Sequence, residues 1–218
     1  MIQQTDMRPG DILLLLDTPD NTSIKHKGIK YGQKLTGINL ARHNQGAADL
    51  VHAMIMVEYD CVAEASGGEG AVRAATLKFR QGTYVVFRCT DNALADRAST
   101  AAMTWSQHKD MGYAKRKAVM SVFHSDKLGT HGMARAQAYH DQINELTPTF
   151  GRGRAFCSEF VLACYQAAAI ELGGGVASAH VLQGPVLGCD AKHCSVRALH
   201  DRLLSDNQFS LKGILEVT

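Results

Sequence analysis

The chain has 218 residues, 45% of them hydrophobic and 20% charged, which is the make-up of one globular domain large enough to bury a sizeable core. A formal charge of +2, with no long basic run and no alternation of basic and aromatic residues, argues against a nucleic-acid partner. The one local cluster, Lys115-Arg116-Lys117, reads as a solvated helix face, with contact to an acidic lipid surface or a polyanion as the alternative.

Near the start, Arg8-Pro9-Gly10-Asp11 leads into the apolar run Ile12-Leu13-Leu14-Leu15-Leu16, which ends at Asp17. The run is too short to cross a membrane and too charged at its borders to be a signal-peptide core, so it reads as a buried strand. With no leader for Sec-type export, the expected location is the cytoplasm unless a signal-independent secretion machine delivers the protein. Residues of about 20–48, rich in Gly, Asn, Thr and Lys, read as a long irregular insertion, a candidate substrate-facing lid or partner surface.

Residues 51–57 read as a strand with Val51, Ala53, Ile55 and Val57 on one face and His52, Met54, Met56 and Glu58 on the other. A turn near Tyr59-Asp60 leads to Cys61-Val62-Ala63-Glu64-Ala65, giving an antiparallel hairpin with two open registers. A two-residue loop pairs Ile55 with Glu64 and separates His52 from Glu64. A three-residue loop pairs Met54 with Glu64 and makes His52 its diagonal neighbour on one face.

Further along, Tyr84-Val85-Val86-Phe87-Arg88 reads as a strand, and Thr90 or Asp91 caps a helix running to about 108. A second helix covers 133–146 and stops before Pro148. In the next helix Phe156, Phe160, Val161, Cys164, Ala167 and Ala168 recur at helical spacing until Gly173-Gly174-Gly175 ends it. Residues 195–205 form a last helix, followed by a strand through 214–217. No repeat and no domain-separating linker interrupts this order, so residues 1–218 read as a single domain.

Cys157 falls in the first turn of its helix. Free N–H groups and the positive end of the helix dipole favour a thiolate there, and Arg152 and Arg154 add positive charge. The competing reading is a small buried apolar cysteine. Cysteines 61, 89, 157, 164, 189 and 194 make no tight disulfide framework, so most are expected as reduced thiols. Cys189, His193 and Cys194 lie close enough to raise a zinc reading, but the spacing is not that of a knuckle and no second pair follows, so neither a metal nor another cofactor is expected.

The order of these pieces resembles the circularly permuted branch of the NlpC-like papain-fold superfamily, the YiiX/YaeF-like group related to lecithin retinol acyltransferase. The resemblance rests on Arg8-Pro9-Gly10-Asp11-Ile12-Leu13-Leu14, the His52 strand, Glu64 in Val62-Ala63-Glu64-Ala65, the glycine-rich 67–70 stretch, the 84–88 strand, Gly112-Tyr113, and Phe156-Cys157-Ser158-Glu159-Phe160-Val161. It implies an α+β fold in which an antiparallel sheet packs against the helix headed by the nucleophile. It also implies a triad of Cys157, His52 and Glu64. Tyr113 becomes a substrate-binding candidate, although Ala114 stands where such proteins usually carry an acidic residue. The implied activity is hydrolysis of an amide or ester through a thioester, on a peptide or peptidoglycan-type substrate. Lipid hydrolysis or acyl transfer is the alternative, with Met54 and Met56 suited to lining an acyl-chain pocket, and a binding module without turnover is a third reading.

Overall fold

The computed structural model describes residues 1–16, 50–66, 72–77, 81–107, 112–113, 132–144, 154–173 and 186–218. The leucine run is β1 (Ile12–Leu16), placed between β2 (Leu50–Glu58) and β5 (Gly82–Cys89) and paired antiparallel to both. A strand buried on both faces has no use for polar alternation, which is why this one reads as an unbroken apolar run. With β3 (Cys61–Ala65), β4 (Val72–Thr76) and β8 (Phe209–Val217) it forms a six-stranded antiparallel sheet in the order β4-β3-β2-β1-β5-β8. A two-strand parallel pair joins β6 (Gly112–Tyr113) to β7 (Arg154–Ala155).

Four helices complete the described architecture: α1 (Asn92–Gln107), α2 (Gly132–Asn144), α3 (Cys157–Leu172) and α4 (Val196–Ser205). They pack on one face of the sheet, where Ile12, Leu14, Ala53, Ile55 and Phe87 share a core with Leu94, Ala98, Trp105, Phe160 and Leu199. α3 lies deepest. Its buried residues occupy nearly every position along Cys157–Leu172, including Leu162, Ala163 and Gln166, which the one-sided spacing did not mark. The opposite face carries a second cluster, with Leu13, Leu15, Met54, Met56, Tyr84 and Val86 joined by Met7 and Leu77.

The caps follow the sequence closely. Asp91 Oδ1 accepts from the N–H groups of Ala93 (2.9 Å) and Leu94 (3.1 Å) at the start of α1, and Ser195 Oγ accepts from Ala198 N–H (3.1 Å) at the start of α4. One boundary differs. The last strand begins at Phe209, because its ladder with β5 continues to the Cys89–Phe209 pair. β4 is an element the sequence did not announce, and the expected end of α2 at 146 lies outside the described residues. The expected insertion at 20–48 lies outside the described residues.

The Arg8-to-Asp11 corner ties sheet to helices. Gly10 has φ +84°, and a Cβ placed there would meet Ala95 of α1 at 2.6–2.8 Å, so only glycine fits. Its N–H donates to Met56 O (2.8 Å), and its carbonyl accepts the Tyr165 hydroxyl from α3. Asp11, 1% exposed, takes both Arg88 Nε (2.7 Å) and Arg88 Nη2 (2.6 Å) together with the Arg8 N–H (2.8 Å), which satisfies the buried carboxylate on every side.

Candidate active site

Two irregularities in β2 bracket the histidine. Against β1, Leu15 pairs with His52 but Leu16 pairs with Leu50, so Val51 is an extra residue. Val51 therefore packs with Met54 and Met56, and not with Ala53 as simple alternation predicts. Against β3, Met56 pairs with Val62 but Glu58 pairs with Cys61, leaving Val57 extra. Asp60 sits in the left-handed region (φ 61°), which aspartate tolerates, and its carbonyl accepts from Leu77 N–H at 2.9 Å. The offset puts Ile55 opposite Ala63. That is the register of the three-residue loop, with Glu64 diagonal to His52.

Across that diagonal, His52 Nε2 donates to Glu64 Oε2 at 2.8 Å, with the glutamate side chain 4% exposed and the histidine 13%. The other ring nitrogen, Nδ1, remains for the nucleophile. The Cys157 thiol, at the first residue of α3, lies within interaction range of the His52 ring and of the backbone N–H groups of Ala53 and Ser158. The structure thus brings all three expected triad residues into one line of contacts. Cys157 is only 2% exposed, so it is both a buried cysteine and one with polar partners.

Burial alone would push the Cys157 thiol up. The positive His52 ring, its hydrogen bond and the two N–H groups outweigh that and hold the thiol below its ordinary value. Burial would likewise pull His52 down, but the Cys157 thiolate and the Glu64 carboxylate drive it up to about 10. Both shifts run in the direction that favours a thiolate beside an imidazolium. Elsewhere burial prevails: alone it pushes Cys164 well above the usual thiol range, and with the Asp91 and Asp206 carboxylates it outweighs a backbone hydrogen bond from Asp91 and pushes Cys89 up to about 11. Cys61 also rises, from burial and the nearby Glu58 carboxylate.

The remaining candidates separate. Tyr113 is brought near the site by its backbone, because β6 pairs it with Ala155, two residues before Cys157. Its side chain, those of Arg152 and Arg154, and Lys115-Arg116-Lys117 lie outside what is described. All six cysteines are free thiols. The Cys189-to-Cys194 segment is stitched to α3, with Ser158 Oγ donating to Cys194 O (2.7 Å) and Gln166 Nε2 to Cys189 O (2.8 Å). Among the described residues no group of three or more His, Cys, Asp or Glu is placed to hold a metal ion. Met54 (1% exposed) and Met56 (0%), suggested for an acyl-chain pocket, are packed into the second core. Sequence reasoning missed Glu159 and Tyr139: Glu159 is 1% exposed in the first turn of α3 and accepts the Tyr139 hydroxyl at 2.7 Å. A glutamate at the third position of a helix is a capping signal that the sequence did carry.

No protein-family model, no curated protein and no solved structure matches the chain.

Proposed function

We propose that the protein is a cysteine-nucleophile hydrolase, cleaving an amide of peptide or peptidoglycan type through a thioester, on a circularly permuted papain-like fold of the NlpC kind. The observation that carries this reading is the unbroken contact from Cys157 through His52 to Glu64, with the thiol pulled down and the imidazole pushed up. The order of the parts supports the permutation: the base strand and its carboxylate strand come first and the nucleophile helix last. An amide is preferred to a lipid ester because Met54 and Met56, the side chains that would recommend an acyl chain, are core.

In the first step the Cys157 thiolate attacks the carbonyl carbon, and the C=O electron pair moves onto oxygen, toward the Cys157 N–H at the helix start. As the intermediate collapses, the bond to the leaving group breaks and that group takes the Nδ1 proton of His52, leaving a thioester and a neutral ring. His52 then removes a proton from water as its oxygen adds to the thioester. Expulsion of the thiolate releases the acid and restores the ion pair. Glu64 accepts Nε2–H throughout, fixing the ring and stabilising its charged form.

Two measurements test the reading. Iodoacetamide labelling of Cys157, located by peptide mapping, is expected to proceed well below the pH of an ordinary thiol, whose pKa is about 8.5, and His52→Ala is expected to move that profile upward. Incubation with peptidoglycan fragments, peptides and lipid extracts, followed by mass spectrometry, is expected to give a Cys157 acyl adduct from a peptide-type substrate. An adduct from lipid alone reassigns the enzyme to acyl-lipid chemistry. An ordinary labelling profile, unchanged by His52→Ala, sinks the mechanism and leaves a binding module.

A further inference from the structure

Glu159 is a buried carboxylate two residues beyond the nucleophile, and the catalytic cycle above makes no use of it. Burying it carries a desolvation cost, so a purely apolar side chain would be the cheaper choice unless the carboxyl group holds something. What it holds is specific. Oε1 accepts the Tyr139 hydroxyl of α2 at 2.7 Å, and Oε2 accepts the Phe156 N–H at 3.4 Å. On the other side of the same residue, the Phe156 carbonyl accepts the Phe160 N–H at 2.9 Å. Phe156 is therefore fixed at both ends. The peptide plane that joins it to Cys157, whose carbonyl is Phe156 O and whose N–H belongs to Cys157, is left with one orientation. Tyr139 is in turn packed at a tilt against Trp105 (6.0 Å between rings, 49° between planes), which meets Phe160 at 5.3 Å.

We propose that Glu159 is a positioning residue, steered by Tyr139, that aims the Cys157 N–H at the point where the substrate carbonyl oxygen becomes negative. This rests on the hydrolase reading and adds to it an oriented oxyanion donor held from α2. The role makes a distinction that mere structural support does not. Acylation of Cys157 builds charge on a carbonyl oxygen and needs that N–H, whereas alkylation by iodoacetamide displaces iodide at a saturated carbon and builds no oxyanion.

The experiment compares the two reactions on the full chain: p-nitrophenolate release from p-nitrophenyl acetate, and iodoacetamide labelling against pH. Tyr139→Phe keeps the ring and removes one oxygen. It is expected to slow acylation about tenfold with KM within about twofold of wild type, while the alkylation profile stays unchanged. Glu159→Ala is expected to slow acylation about 100-fold. Glu159→Gln is expected to stay close to wild type, because its amide oxygen can accept from Phe156 and its NH2 can donate to the Tyr139 oxygen. Emission from Trp105, the chain's one tryptophan, reports whether the junction has kept its packing. If Glu159→Ala does not fold, Tyr139→Phe decides alone. Equal losses of acylation and alkylation, or wild-type acylation in a folded Tyr139→Phe, overturn the inference while the hydrolase reading stands. A wild type with an ordinary thiol profile removes both.

Discussion

Cys157 and Cys164 lie seven residues apart on one helix (164 minus 157) and are both buried, yet their thiols are driven in opposite directions. The difference is partners: His52, Ala53 and Ser158 surround one sulfur, and burial alone sets the acidity of the other. Cys157→Ala is accordingly expected to abolish turnover with the fold intact, whereas Cys164→Ala keeps turnover and loses only about 1 kcal/mol of stability for the small volume removed, as read by activity and thermal melting. His52→Ala removes the base and is expected to cost about 10²–10⁴-fold in kcat. Glu64→Gln should cost less, since an amide oxygen still accepts Nε2–H but cannot stabilise the charged ring. With His52 less readily protonated, its kcat/KM profile should also lose its upper limb at lower pH than wild type. These three residues were legible as types: a cysteine at a helix start, a histidine in a strand, a carboxylate twelve residues on (64 minus 52). Whether they met was not, because a register is decided by one extra residue that side-chain alternation does not reveal.

That extra residue belongs to the element scale, where β2 departs from regularity at Val51 and again at Val57. Bulges of this kind re-aim side chains beside functional sites, and here they set the five residues from His52 to Met56 in their own register between β1 and β3. The Gly10 corner sets the other end of the assembly, since it binds β2 through Met56, α1 through close approach to Ala95, and α3 through Tyr165. Gly10→Ala is expected to destabilise by about 1–3 kcal/mol from backbone strain alone, with the clash against Ala95 adding to it. A differential scanning melt should record a fall of several degrees, and an unchanged melting temperature would contradict the tight corner. Helices were the most legible elements, because α1 and α4 announce themselves by Asp91 and Ser195 and α3 by its apolar recurrence. β4 and the short β6–β7 pair were not. β4 carries Arg73 and two alanines, a weak strand pattern, and a two-residue parallel contact between distant segments leaves no periodicity at all.

At the scale of the whole molecule, the composition fitted one domain with a large core, and the described residues bear out an α+β arrangement around one antiparallel sheet. No described helix is long and apolar enough to cross a membrane. The two-faced burial of β1 and the central position of α3 explain why apolar runs dominate both segments. The separation of the paired groups along the chain has a consequence of its own. His52 and Cys157 stand 105 residues apart (157 minus 52), and the last strand, β8, closes its ladder on β5 after both. Contacts so distant in sequence form late and slowly. On the hydrolase reading, a chain still being made on the ribosome would hold the His52 strand long before it holds the thiol, and for that whole interval it would have no nucleophile. On the same reading, Cys157 would emerge as an ordinary, weakly reactive thiol and have its acidity raised only on docking against β2, so that reactivity would follow folding.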